Sequence, residues 1–264
     1  DEWLLSRLHS TEQAVRESYD RYDMQAAAQA LHTFFWSEVC DWYIEVAKPR
    51  LTDPARRGAP QWVLLTVLEA FVTMLHPIMP HLTEEIYSHL PLKNKSEFLM
   101  GAKWPVLPPE FAKPETEATI ERWFSLTRSL RALRAELGLA AMKTIDKAFY
   151  EGDLAGGEWV VASQAWVSDL RAGKPEGKYI SATVEGVDLH VPFEGLIDEG
   201  KELERLAKQH EKLSGELAKL EQRLSNPQFV DRAKPEVVER EKAAAAELID
   251  RLKRIDERKN LFGA

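Results

Sequence analysis

Apolar residues recur at alternating intervals of three and four through the last seventy positions of the chain. Leu203, Leu206, His210, Leu213, Leu217, Leu220 and Leu224 form one series, and Val238, Glu241, Ala245, Leu248, Leu252, Ile255, Lys259 and Phe262 form a second. That interval keeps every member on one stripe of an α-helix, so each series predicts a helix with a single seam. Ser225-Asn226-Pro227 interrupts the pattern, and Pro235 precedes its resumption. A proline stops the first helix, and another suits the opening turn of the next, where its missing N–H has no bond to make. Two such helices with a short connection are expected to fold back as an antiparallel hairpin. At ~1.5 Å per residue, helices of roughly 25 to 28 residues make an arm of about 40 Å.

Upstream, the apolar spacing predicts five further helices, over 3–20, 24–48, 61–75, 82–90 and 116–137, with Pro49 just beyond the second and Pro80 just before the fourth. Thr83 followed by Glu84 and Glu85 resembles a helix start, with acids near the positive end of the dipole. Gly138 stands where the fifth helix should end. Residues 91–114 hold five prolines and read as a surface excursion. Five helices with short links make a bundle. Residues 139–195 change character: 147–150 suit a short strand, Gly156-Gly157 marks a break, and 158–170 suit a helix. Residues 179–184 and 187–192 alternate about Glu185-Gly186, a hairpin signal. The fold class is therefore mainly α: a helical bundle over 1–138, a small α+β junction over 139–195 and the antiparallel coiled-coil arm over 196–264.

Composition narrows the class of protein. With 44% hydrophobic and 30% charged residues, the 264-residue chain is expected to be soluble and globular. No uninterrupted apolar run approaches the length of a membrane span. The chain opens Asp1-Glu2-Trp3, unlike a secretory leader, and the missing Met suggests a piece of a longer protein. A lone cysteine, Cys40, excludes an internal disulfide and suits a reducing cytoplasm. The net charge of −8 argues at first against a nucleic-acid partner. It is unevenly spread, however. Residues 196–264 carry 15 basic and 15 acidic side chains, which leaves 20 basic (35 less 15) and 28 acidic (43 less 15) on the rest. The arm is neutral and the body acidic, so a local basic surface remains open.

No catalytic centre is legible. The sequence lacks a glycine-rich phosphate loop, a nucleophile elbow and a His-Glu-x-x-His pair. His76, His81, Glu84, Glu85 and His89 cluster, but their spacing fits no common zinc pattern, so no metal or catalytic residue is assigned. Three groups of residues could meet RNA. In the aromatic run 34–43, Trp36 and Tyr43 are seven apart, as are Phe35 and Trp42. These stripes either widen a buried face or turn one ring of Trp36, Trp42 or Tyr43 outward to stack on an unpaired base. Arg128, Arg131 and Arg134 lie three apart on the fifth helix, with Arg122 before them and Lys143 and Lys147 after. They either meet phosphates or cover apolar surface and pair with acids. On the arm, Lys201, Arg205, Lys208, Lys212, Lys219 and Arg223 lie off the first seam, and Arg251 and Arg254 off the second. They interleave with glutamates, as a solvated coiled-coil surface also would. His210, polar within the seam, is expected to fix register.

Several stretches resemble a known family. Trp36-Ser37-Glu38-Val39-Cys40-Asp41-Trp42-Tyr43-Ile44-Glu45, Leu75-His76-Pro77-Ile78-Met79-Pro80-His81-Leu82-Thr83-Glu84-Glu85 and Arg128-Ser129-Leu130-Arg131-Ala132-Leu133-Arg134 resemble the anticodon-binding helical domain of class I aminoacyl-tRNA synthetases, in the subgroup for valine, isoleucine and leucine. Pro192-Phe193-Glu194-Gly195-Leu196-Ile197-Asp198, with the heptad helix and Leu224-Ser225-Asn226-Pro227-Gln228-Phe229-Val230, resembles the end of the bacterial valine-specific members. The resemblance covers essentially the whole chain. It implies a monomeric, cytoplasmic, valine-accepting tRNA-binding part, in which the bundle grips the anticodon stem and loop and the arm lies on the outer corner of the tRNA. It implies that the parent ligase uses ATP and magnesium and edits mischarged tRNA in domains this chain lacks, so the chain itself holds no cofactor and is inactive. It also implies that part of the anticodon-facing helix lies upstream of Asp1. Two alternatives stay open: a coiled-coil scaffold that docks a protein, and the equivalent part of an isoleucine or leucine enzyme.

Overall fold

A computed structural model describes residues 1–93, 95–140, 143–195, 199–225 and 235–262. The Asn226-Pro227 stop and the turn that follows lie outside the described residues, as does the joint at 196–198. The chain divides into two compact units, Asp1–Thr127 with Asp153–Ala165 and Arg128–Gly152 with Trp166–Ala264.

The first unit is helical. It contains α1 (Glu2–Asp20), α2 (Met24–His32), a π-helical segment (Thr33–Ile44), α3 (Glu45–Leu51), α4 (Gly58–Leu75), α5 (Pro80–His89) and α7 (Glu158–Ala165), with most of α6 (Pro114–Glu136). Asp23 starts α2 by accepting from the Ala26 N–H at 2.9 Å. The core is built from Leu4, Leu8 and Val15 of α1, Leu31 of α2, Val67, Phe71 and Met74 of α4, Tyr87 of α5 and Phe124 of α6. α4 is long and apolar enough, at a mean hydropathy of 1.4 over 18 residues, to cross a membrane. In the fold it is a core helix, with Val63, Val67, Ala70, Val72 and Met74 buried in the bundle.

Four sequence expectations change here. The helix over 24–48 runs on through Pro49 to Leu51. Only two residues follow the proline, so its missing N–H removes a single bond from a final turn. Within that helix, the π segment closes wider i→i+5 turns, which re-sort the aromatic stripes. Its buried residues are Phe34, Val39 and Tyr43, five and four apart, rather than members of a seven-residue repeat. α5 begins at Pro80 itself, in the first turn, so Thr83 does not start the helix. Instead Thr83 is fully buried, donating to the Met79 carbonyl at 2.9 Å and meeting His76 Nδ1 at 2.8 Å. The proline-rich excursion is tied down. Glu84 accepts from the Leu99 N–H at 2.7 Å, Leu99 is buried, and the Trp104 indole donates to Glu12.

The second unit holds a four-stranded mixed sheet, β1 (Ile145–Glu151), β2 (Val167–Ala172), β3 (Tyr179–Val184) and β4 (Val187–Pro192), in the order β2-β1-β4-β3. β1 and β2 run parallel from Ile145↔Val167 to Tyr150↔Ala172, while β4 is antiparallel to both neighbours. The expected helix over 158–170 therefore stops at Ala165, because Trp166 takes φ +62 and turns the chain into β2. The expected hairpin is present. Glu185 and Gly186 both have positive φ, 52 and 72, as a two-residue type I′ turn requires. α6 ends as its sequence predicts: Gly138 N–H bonds Ala135 at 3.0 Å and Leu139 N–H bonds Arg134 at 3.1 Å.

The last two helices are α8 (Glu199–Leu224) and α9 (Pro235–Leu261). His210 pairs with Asp256 and Arg223 with Glu241, so the helices run antiparallel. Every position of both predicted seams is buried or half-buried, while the positions flanking them are mostly exposed. Leu206, Val238, Ala245, Ile255 and Phe262 are buried, and Phe262 meets Phe193 edge-on at 5.2 Å.

One glycine in the first unit is fixed by a close approach. A Cβ at Gly157 would lie 2.3 Å from Trp123 Nε1, and that indole donates to the Leu154 carbonyl at 2.8 Å. Gly157→Ala must therefore displace the ring, at a cost of about 1–3 kcal/mol. Calorimetry should show a midpoint lower by several degrees. An unchanged midpoint would show that the indole can move aside freely.

Candidate nucleic-acid interface

The basic stripe of α6 splits into two roles. On a helix, a step of three residues falls about 60° short of a full turn, so three such arginines cannot share a face. Arg128 and Arg131 are exposed. Arg134 is 4% exposed and lies among the buried Leu130, Leu133 and Leu137. Its guanidinium donates to the carbonyls of Trp166 (3.2 Å), Ala140 (3.3 Å) and Lys143, and it lies over the Trp166 ring. Burial, and then the charge of Arg131, hold its pKa below the ordinary arginine value. Arg134 is therefore a structural tie and not a surface cation, which corrects the sequence expectation. Lys143 is exposed on the segment whose carbonyl Arg134 holds.

The three candidate aromatic rings also separate. Trp36 is 60% exposed, with the His32 ring nearly parallel to it at 6.4 Å. Trp42 stacks on Phe124 at 3.8 Å and is half-buried. Tyr43 is buried, and its hydroxyl donates to Asp1 Oδ1 at 2.6 Å. Burial pushes the Tyr43 phenol up to about 12, against the opposing pull of Arg50. Trp42 and Tyr43 are thus committed to the bundle, and Trp36 is the outward ring. In the histidine–acid cluster, Glu85 meets His89 at 3.1 Å, and Glu84 holds the backbone of Leu99.

On the arm, packing the seams inward turns the charges outward. Lys201, Arg205, Lys208, Lys212, Lys219 and Arg223 are exposed on α8, as are Arg251 and Arg254 on α9. Arg223 reaches Glu241 across the hairpin at 3.6 Å, and Arg251 pairs with Glu247 on its own helix. Exposed pairs of this kind add little stability, about 0–1 kcal/mol each. They leave a mixed surface whose cations can exchange carboxylate partners for phosphates.

The structure adds a feature that sequence spacing does not reveal. At the root of the arm is a cleft of about 510 Å³, walled by the end of α6, Ile180 of β3 and residues of α8 and α9. Its walls come from four separate stretches of chain, so no local pattern signals it.

Comparison with known proteins accords with this arrangement. Residues 1–149 match the family described as the anticodon-binding domain of tRNA ligase, and residues 198–261 match the valyl tRNA synthetase tRNA binding arm. The chain is 35% identical to a valine–tRNA ligase of Symbiobacterium thermophilum over 98% of its own length and 32% of that protein. It is 35% identical to one of Clostridium perfringens (98% of this chain, 30% of the relative) and 34% identical to one of Thermotoga maritima (97% and 30%). The chain thus spans about a third of the length of the curated relatives it matches. With its first 149 residues carrying the match, the chain belongs to the family of anticodon-binding domains of tRNA ligases.

Proposed function

We propose that this chain is the tRNA-binding part of a valine–tRNA ligase. It positions a valine-accepting tRNA for catalytic and editing domains that lie elsewhere in the full-length enzyme. One observation carries the reading: a two-helix arm with its apolar seams turned inward and its cations outward coincides with the residues that match a tRNA binding arm. In this reading the bundle of residues 1–138 grips the anticodon stem and loop. Arg128 and Arg131 meet phosphates, and Trp36 offers a ring to an unpaired base. The module of residues 139–195 carries the arm, whose Lys201, Arg205, Lys208, Lys212, Lys219, Arg223, Arg251 and Arg254 lie along the outer corner of the tRNA. The complete ligase works in the cytoplasm as a monomer, and its ATP and magnesium serve chemistry outside this chain. The scaffold alternative is not favoured, since the same helices match a tRNA-binding element and the relatives named above are valine enzymes.

Titration of a valine-accepting tRNA by fluorescence anisotropy tests the proposal. Binding should weaken with salt, with a log–log slope of about −0.7 to −0.9 per phosphate contact. Arg128→Glu combined with Arg131→Glu should raise Kd at least severalfold, and isoleucine- and leucine-accepting tRNAs should compete poorly. A concentration-dependent dimer in light scattering that ignores tRNA would overturn the reading.

Arg134 separates structure from binding. Arg134→Met keeps the volume but strands three carbonyls, a loss of about 1–3 kcal/mol. The melting temperature should fall, while Kd measured well below that temperature stays within about twofold, on the order of 0.4 kcal/mol. A large rise in Kd with an unchanged melting temperature would instead put Arg134 at the RNA.

A further inference from the structure

The cleft at the arm root has a composition that limits what can occupy it. Its floor is apolar, made by Leu206 and Leu213 of α8, Ile255 of α9 and the ring of Phe262. Arg251 and Arg254, three residues apart on α9, line its edge with Gln209, and the carboxylates of Glu136 and Glu257 line it as well. Two guanidinium groups against two carboxylates leave the rim neutral, which disfavours a compact, highly charged anion such as a free triphosphate. An apolar floor with both donors and acceptors on the rim suits a flat heterocycle that has two apolar faces and a mixed hydrogen-bonding edge. The volume of about 510 Å³ admits one such ring with its sugar. The cleft is also continuous with the arm, since seven of its lining residues on α8 and α9 lie within the 198–261 match to a tRNA binding arm.

We propose that this cleft is a binding site for one unstacked nucleobase of the RNA on which the arm lies. Folded RNA presents such bases in loops and bulges, where they can be splayed from the helix and held against apolar side chains. The base enters with a face against Phe262 and Ile255. Gln209 and Glu257 meet its edge, and Arg251 and Arg254 meet the phosphates on either side. This inference rests on the tRNA-binding reading above. It extends that reading from backbone contact along the arm to the capture of one particular nucleotide at its root.

Filling the cleft from two of its walls tests the idea. Gln209 and Ala135 are both exposed, so Gln209→Trp and Ala135→Trp can place a ring in the cleft without disturbing the core. Each should raise Kd for a valine-accepting tRNA by about tenfold, the scale of one lost stacked base. Gln209→Ala should raise it less, and all three should keep the melting temperature of the parent. Chemical probing should show one nucleotide protected by the parent chain and reactive again with either tryptophan variant. Lys219→Glu, far along α8 from the cleft, reports on the arm alone. Binding that responds to Lys219→Glu but not to either tryptophan, with an unaltered footprint, overturns the cleft while leaving the arm reading intact. A parent chain that binds no tRNA overturns both.

Discussion

The arm depends on two amphipathic stripes that bury mainly against each other, with the sheet meeting them only at the root. Neither α8 nor α9 has a second apolar face, and the leucines of α8 beyond Leu206 are half-buried in the pair. A seam confined to every third and fourth residue forces the remaining positions into solvent, and those positions are where the lysines and arginines sit. The electrostatic surface is thus a by-product of the packing. The polar members of the seam fit the same logic. His210 meets Asp256, Glu241 meets Arg223, and Lys259 meets Asp256 at 3.6 Å. Each polar member of the stripe has a charged residue beside it, and two of these pairs cross the hairpin. A slip of one turn would break them, which is how polar seam residues select a single register.

In the body, one cation shows how a charge can serve folding. Arg134 collects carbonyls from the chain after α6 and from the residue that leads into β2, so it fixes where that chain goes. The same stripe gives up Arg128 and Arg131 to the surface. A helix that both closes a core and presents cations to solvent divides its arginines by rotation, and a spacing of three performs that division.

The helices and their seams were legible because apolar period and proline placement are local signals. The type I′ turn at Glu185-Gly186 and the stop at Gly138 were legible for the same reason. What escaped depends on partners far away in sequence. The π segment keeps the apolar content of an α-helix while changing its period, so Trp36 and Tyr43, which share a stripe at seven-residue spacing, part company at 60% and 4% exposure. β2 was hidden because its turn residue is Trp166 rather than a glycine, and Val167–Ala172 pairs in parallel with a strand some twenty residues earlier. The spacing of Arg128, Arg131 and Arg134 was plain, but which of the three faced inward was set by the carbonyls that Arg134 could reach.

The chain crosses between its two compact units three times, after Thr127, Gly152 and Ala165. The last two crossings flank the crossover that the parallel pairing of β1 and β2 requires, which α7 supplies from the first unit. A recombination event or a designer's graft that takes the arm with its supporting sheet must therefore also take the loop that belongs to the other unit. Interleaving of this kind makes the pair heritable as a block and resistant to piecemeal exchange.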